Sequence, residues 1–205
     1  MQSLTKEIAL KFLAEHQPMP DMSQVGEEEY ERIWNRWVDC IDYFITNPCI
    51  ESVPLILNSY NGDDIPDDII ELDWESFEED EVIPYIVRAL QSPRESVREW
   101  TLYLVLYYET SNTSFIKAIL ERLVDDSAIV RGRAALILNS LERDCYYDSN
   151  SDKEYIRNCY RNEHDKNVIN CYCNEWDTLN AIVDLIPGRS VAHLPCTVVT
   201  LERYD

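Results

Sequence analysis

The chain has 205 residues, with 39 acids against 18 bases and a net charge of −21. At 45% hydrophobic and 11% aromatic it can bury a core and does not read as disordered. The sequence pI near 4.4 excludes binding to a phosphate backbone, which needs a cationic surface, and docking on anionic lipid.

No stretch approaches 18 consecutive apolar residues, so no membrane span is expected. The opening MQSLTKEIALKFLAEH does not read as a signal peptide, because Lys6, Glu7, Lys11 and Glu15 interrupt any apolar run. Seven irregularly spaced cysteines, with no export signal, read as reduced thiols of a cytoplasmic protein. The four glycines, Gly26, Gly62, Gly132 and Gly188, stand too far apart to form a Walker loop or a dinucleotide fingerprint.

In chain order, residues 3–15 predict a short helix with Leu4, Ile8 and Phe12 in register, ended by Pro18 and Pro20. Residues 17–26 read as a loop. Residues 28–46 predict a helix of about five turns, with Tyr30, Ile33, Trp34, Trp37, Val38, Ile41, Phe44 and Ile45 forming one apolar stripe. Asn47-Pro48 stops it. Residues 50–60 predict a second apolar helix with Pro54 in its first turn, where a missing N–H is tolerated. Asn61-Gly62 is a turn signal.

An acid-rich connection, 63–81, follows, with Ile65, Ile69, Ile70, Leu72, Trp74 and Phe77 spaced among its acids to pin it to the body. Part of it after Pro66 is compatible with a short helix. Ser76-Phe77-Glu78-Glu79 has the form of a capping box. From there the chain predicts helix pairs: Val82 to Gln91 with Arg94 to Tyr108, and Ser114 to Val124 with Ala128 to Leu141. Shifted by 33 residues the pairs align without a gap, Val97 on Val130, Arg98 on Arg131 and Leu104 on Ile137. Self-similarity at such a period marks stacked helix hairpins. Arg98 and Arg131 are expected to pair with Asp or Glu of adjacent turns.

Ser92-Pro93-x-x-x-Val97-Arg98 and Asp125-Asp126-x-x-x-Val130-Arg131, each at a turn into a second helix, resemble the HEAT-repeat family. Val53-Pro54-Leu55-Ile56 and Ile83-Pro84-Tyr85-Ile86 echo that family's proline early in a first helix. The resemblance covers 81–141. It implies an α-solenoid with a binding face and no reaction. Residues 152–186 predict further helices, a degenerate third hairpin, and Cys196 to Leu201 has β-like composition suited to an extended tail. The expected fold is therefore all-α: an irregular HEAT-like solenoid of about ten helices in one domain, 1–205, with a short extended C-terminal tail. Its parts are N-terminal helices (1–62), the acidic connection (63–81), the repeats (81–141) and a degenerate repeat with the tail (142–205).

Function is carried by charge. Between Arg36 and Arg88 there is no Lys or Arg, while 14 acids lie in 37–87: Asp39, Asp42, Glu51, Asp63, Asp64, Asp67, Asp68, Glu71, Asp73, Glu75, Glu78, Glu79, Asp80 and Glu81. Such clustering is self-repelling, and recognition of a basic partner would offset it; a solvated acidic face is the plainer reading. The candidate partner-binding residues are Tyr60, Asp63, Asp64, Asp67, Asp68, Glu71, Asp73, Trp74, Glu75, Glu78, Glu79 and Asp80. Tyr60, Trp74 and Phe77 suit either of two roles, interface anchors or packing onto neighbouring helices.

Calcium loops need alternating acids and a glycine turn, which neither Asp63-Asp64 nor Asp67-Asp68 supplies. Cys159, His164, Cys171 and Cys173 are zinc ligands by type but not by spacing. No G-x-S-x-G or H-E-x-x-H occurs. The expected function is non-enzymatic and needs no metal or cofactor. Small size, strong acidity and the lack of catalytic motifs are similar to bacterial toxin-immunity proteins, which implies inhibition of a basic, nuclease-type toxin. The alternatives are a HEAT adaptor or scaffold subunit, an acidic DNA mimic, and an enzyme related to the HEAT-like chromophore lyases.

Overall fold

The computed structural model describes residues 4–62, 72–106, 108, 110–143, 150–166 and 168–169. The centre of the acidic connection (63–71), the loop at 144–149, the expected helices beyond residue 169 and the extended tail lie outside the described residues.

The described chain is all-α. Its helices are α1 (Lys6–Glu15), α2 (Met22–Val25), α3 (Glu27–Thr46), α4 (Val53–Ser59), α5 (Glu79–Leu90), α6 (Glu95–Leu104), α7 (Thr113–Glu121), α8 (Ala128–Arg143) and α9 (Asn150–Asn162). Among the described residues there is no strand, and no helix is long and apolar enough to cross a membrane. The chain divides into two compact units, Met1–Tyr108 with Asn112–Ala118, and Glu109–Ser111 with Ile119–Asp205.

In the first unit α1 packs against α3 and α4, and α4 packs in turn against α5 and α6. Leu13, Trp37, Phe44, Ile56, Ile86, Trp100 and Phe115 are fully buried there. Two indoles are tied to α4 through its backbone and one serine. Trp37 Nε1 donates to Ser59 Oγ (2.7 Å), Ser59 Oγ donates to the Ile56 carbonyl (2.9 Å), and Trp100 Nε1 donates to the same carbonyl (3.0 Å). The Met19 amide adds a bond to the Ser59 carbonyl (2.8 Å), which docks the loop before α2. Every polar atom of this cluster therefore has a partner, as burial requires.

Three boundaries differ from the sequence expectation. The stretch at 17–26 contains the helical turn α2, because Asp21 and Gln24 cap it reciprocally: the Ser23 amide donates to Asp21 Oδ1 (2.7 Å) and the Asp21 amide to Gln24 Oε1 (3.0 Å). The expected capping box at Ser76 does not form. Glu78 is the N-cap of α5 with no side-chain bond, and the Ser76 hydroxyl turns back to the Asp73 carboxylate. α6 stops at Leu104 rather than Tyr108. Its last carbonyl is taken by Trp74 Nε1 (2.8 Å), while the Tyr108 amide bonds to Val105 (3.0 Å), a tighter turn that cannot continue an α-helix.

In the second unit a 3-10 turn, Arg122–Val124, packs against α8 and α9. Leu123, Val130, Ala134, Ile137, Leu138, Ile156, Tyr160 and Val168 are buried.

Candidate partner-binding surface

The described part of the acidic connection begins at Leu72 and runs into α5. Leu72 and Trp74 are buried, and Trp74 ends the connection as an anchor. Its indole N–H is held by the Leu104 carbonyl, and its ring lies 5.7 Å from Tyr108 and 6.5 Å from Phe77. With Trp74 fixed inward, Asp73, Glu75, Glu78, Glu79 and Asp80 are all exposed, as is Glu81. Glu79, Asp80 and Glu81 form the first turn of α5, where the helix dipole favours negative charge. That local stabilisation lets acids crowd here at small cost.

Two candidate residues are placed differently from an interface anchor. Tyr60 is 3% exposed and stacks on Trp100 at 5.1 Å; Trp74 is 6% exposed. Their rings are large apolar surfaces, and burial against the core takes them out of water. Phe77 is half-buried beside Trp74. Asp63, Asp64, Asp67, Asp68 and Glu71 lie outside the described residues, so the structure brings together only the C-terminal half of the expected surface.

The charge of this surface reaches the core edge. Tyr108 is buried under Trp74, and burial first, then the nearby Glu79 carboxylate, pushes its phenol up to about 12. Among the described residues its buried hydroxyl has no hydrogen-bond partner.

A feature missed in the sequence lies at the N-terminal end of α3. A groove of about 960 Å³ is lined by Asp21, Met22, Tyr30, Glu31, Trp34, Asn35 and Gly62. The apolar stripe of α3 assigned Tyr30 and Trp34 to the core. The four-residue α2 packs against α3, and both rings are partly exposed. A bulky stripe that outruns the helices able to cover it was the available signal. Gly62, with φ of 104°, makes the turn at the groove edge that Asn61-Gly62 predicted.

In the second unit, Arg131 and Glu163 line a smaller cavity of about 540 Å³ with Tyr155, Cys159 and His164. Burial raises the Cys159 thiol above its ordinary range, against a hydrogen bond with Tyr155 that lowers it, so the sulfur is not activated as a nucleophile. Among the described residues no group of three or more His, Cys, Asp or Glu is arranged to hold a metal; Cys171 and Cys173 lie outside them.

No family model, curated protein or solved structure matches the chain.

Proposed function

We propose that the protein is a stoichiometric inhibitor of a cationic protein, acting as a cytoplasmic immunity protein against a basic, nuclease-type toxin. The exposed carboxylates from Asp73 to Glu81, on a segment pinned by Trp74, are the observation that carries this reading. They continue a stretch in which no Lys or Arg stands between Arg36 and Arg88. Fixed carboxylates steer a cationic partner and raise its encounter rate. Because they are held by a buried anchor, little ordering is needed on binding. We assign the contact to 60–81 and the first turn of α5, with the acids occupying the partner's phosphate-binding groove.

A second reading, an adaptor subunit built on a helical-hairpin solenoid, is favoured by one observation. The turns before α6 and α8 have matched hydrogen bonds at a 33-residue shift. The experiment that separates the two is affinity capture from the native lysate at low salt, followed by co-expression with the captured partner. A single basic protein whose toxicity is rescued supports inhibition. A multi-subunit assembly with no toxic member supports the adaptor and overturns the immunity reading.

A further inference from the structure

We infer that the groove at the N-terminal end of α3 receives an arginine side chain of the cationic partner, stacked on Trp34 and paired with the carboxylates of Asp21 and Glu31. The inference rests on the proposed cationic partner and adds a specific anchor to it.

The groove has the chemistry of a guanidinium site. Trp34 lines the groove with a partly exposed aromatic face, its ring packed beside those of Tyr30 (6.0 Å, 26°) and Trp37 (5.3 Å, 38°). Trp37 is fully buried and bonded to Ser59, so the partly exposed Trp34 ring is braced by the core. A planar cation gains from such a face, and arginine stacks on it better than lysine. The Asp21 carboxylate is held in place by the Ser23 amide (2.7 Å), and the Ser23 hydroxyl first, then that amide, keeps its pKa below the usual range. Glu31 is exposed across the groove. Met22, 52% exposed, supplies a deformable apolar wall for the side-chain methylenes.

Other occupants fit poorly. The two carboxylates repel an anion, and an apolar helix would desolvate them without compensation. Among the described lining residues none is basic. The neighbouring cations of α3 are engaged elsewhere, Arg32 with Glu29 (2.8 Å) and Arg36 with Asp39 (3.7 Å). The chain's own 63–71 follows Gly62 directly but contains no Lys or Arg, so it has no cation to offer.

The test uses the full chain labelled with 5-fluorotryptophan and titrated with a hexaarginine peptide at low salt, followed by fluorine NMR. Trp34→Phe assigns the Trp34 signal. The expected result is a saturable shift at Trp34, with Glu31→Gln and Trp34→Leu each weakening the peptide by about fivefold to tenfold. Glu31 is exposed, so its variant keeps the fold even where the tryptophan variant does not. If hexaarginine binds with Trp34 unmoved and Glu31→Gln binds equally, the groove assignment is overturned while the acidic-surface reading stands. If hexalysine moves Trp34 as far as hexaarginine, the arginine assignment is overturned. If the wild type binds neither peptide, both readings fall.

Discussion

Arg98 and Arg131 hold their turns by the same pair of contacts. Arg98 Nη1 donates to the carbonyls of Ser92 (2.9 Å) and Pro93 (3.3 Å), and Arg131 Nη1 donates to those of Asp125 (2.9 Å) and Asp126 (3.1 Å). The side chains at the turn entrance match as well. Ser92 Oγ accepts from the Arg94 amide (3.3 Å) and Asp125 Oδ1 from the Ser127 amide (3.1 Å). Each arginine therefore satisfies carbonyls that the end of the preceding helix leaves open. The expectation that these arginines serve carboxylates of adjacent turns misses this main-chain role.

Arg131 has a second duty, and it yields the first prediction. Its Nε and Nη2 donate to Glu163 at 2.7 and 3.2 Å, and the Glu163 side chain is 7% exposed. Removing one member leaves the other charge buried, so Glu163→Gln and Arg131→Met should each destabilise by about 2–4 kcal/mol. Denaturant unfolding measures this.

The same pair sets a pH dependence. Burial pushes the Glu163 carboxyl up, but bonds from Arg131 and from the amides of Asp165 and His164 outweigh it, and the net pKa is lowered. A lowered folded pKa means the contribution is whole above the unfolded value, about 4.3, and fades as pH falls through the folded one. The stability gap between wild type and Glu163→Gln should stay constant from neutral pH to about 5 and narrow below about 4. A gap that widens in acid contradicts the assignment.

Trp74 and Tyr108 should respond in opposite ways. Trp74→Phe leaves the Leu104 carbonyl without its donor and should destabilise by about 1–3 kcal/mol; Trp74→Ala adds a cavity and should reach about 3–5 kcal/mol. The buried Tyr108 hydroxyl has no partner among the described residues, so Tyr108→Phe should be neutral or stabilising. Thermal melts of the three variants decide the ordering.

Ser59 is the small residue on which the Trp37 indole depends. Ser59→Ala removes the acceptor of Trp37 Nε1 inside the core and should destabilise by about 1–3 kcal/mol despite the loss of one atom. A change within about 0.5 kcal/mol, the range of ordinary surface substitutions, would show that the network adds nothing.

Cys40 is fully buried on α3, and burial pushes its thiol up to about 11. Alkylation mapped by mass spectrometry should find Cys40 protected in the native protein and modified with the global unfolding rate, later than the half-buried Cys159.

Much of this was legible in the sequence because it follows from local rules. The α3 stripe from Ile33 to Phe44 is a simple helical period, and the paired turns at Ser92 and Asp125 appear as a register of 33 residues. Pro54 entered α4 in its first turn as expected. What the sequence hid was tertiary choice. Trp74 could serve the surface or the core, and only the Leu104 carbonyl, thirty residues away, decides for the core. That same bond ends α6 early. Tyr30 and Trp34 share the period of the buried stripe, so periodicity could not reveal that they stay partly exposed at a groove.

The central claim is that a fixed acidic surface captures a cationic partner. The most direct measurement is the association rate with the captured partner across a salt series, for wild type and for Asp67→Lys, Asp68→Lys, Glu71→Lys and Asp73→Lys combined. The account predicts a rate that falls steeply with salt in the wild type, and binding weakened by well over tenfold (about 1.4 kcal/mol) in the variant. A variant that binds unchanged at low salt would contradict it.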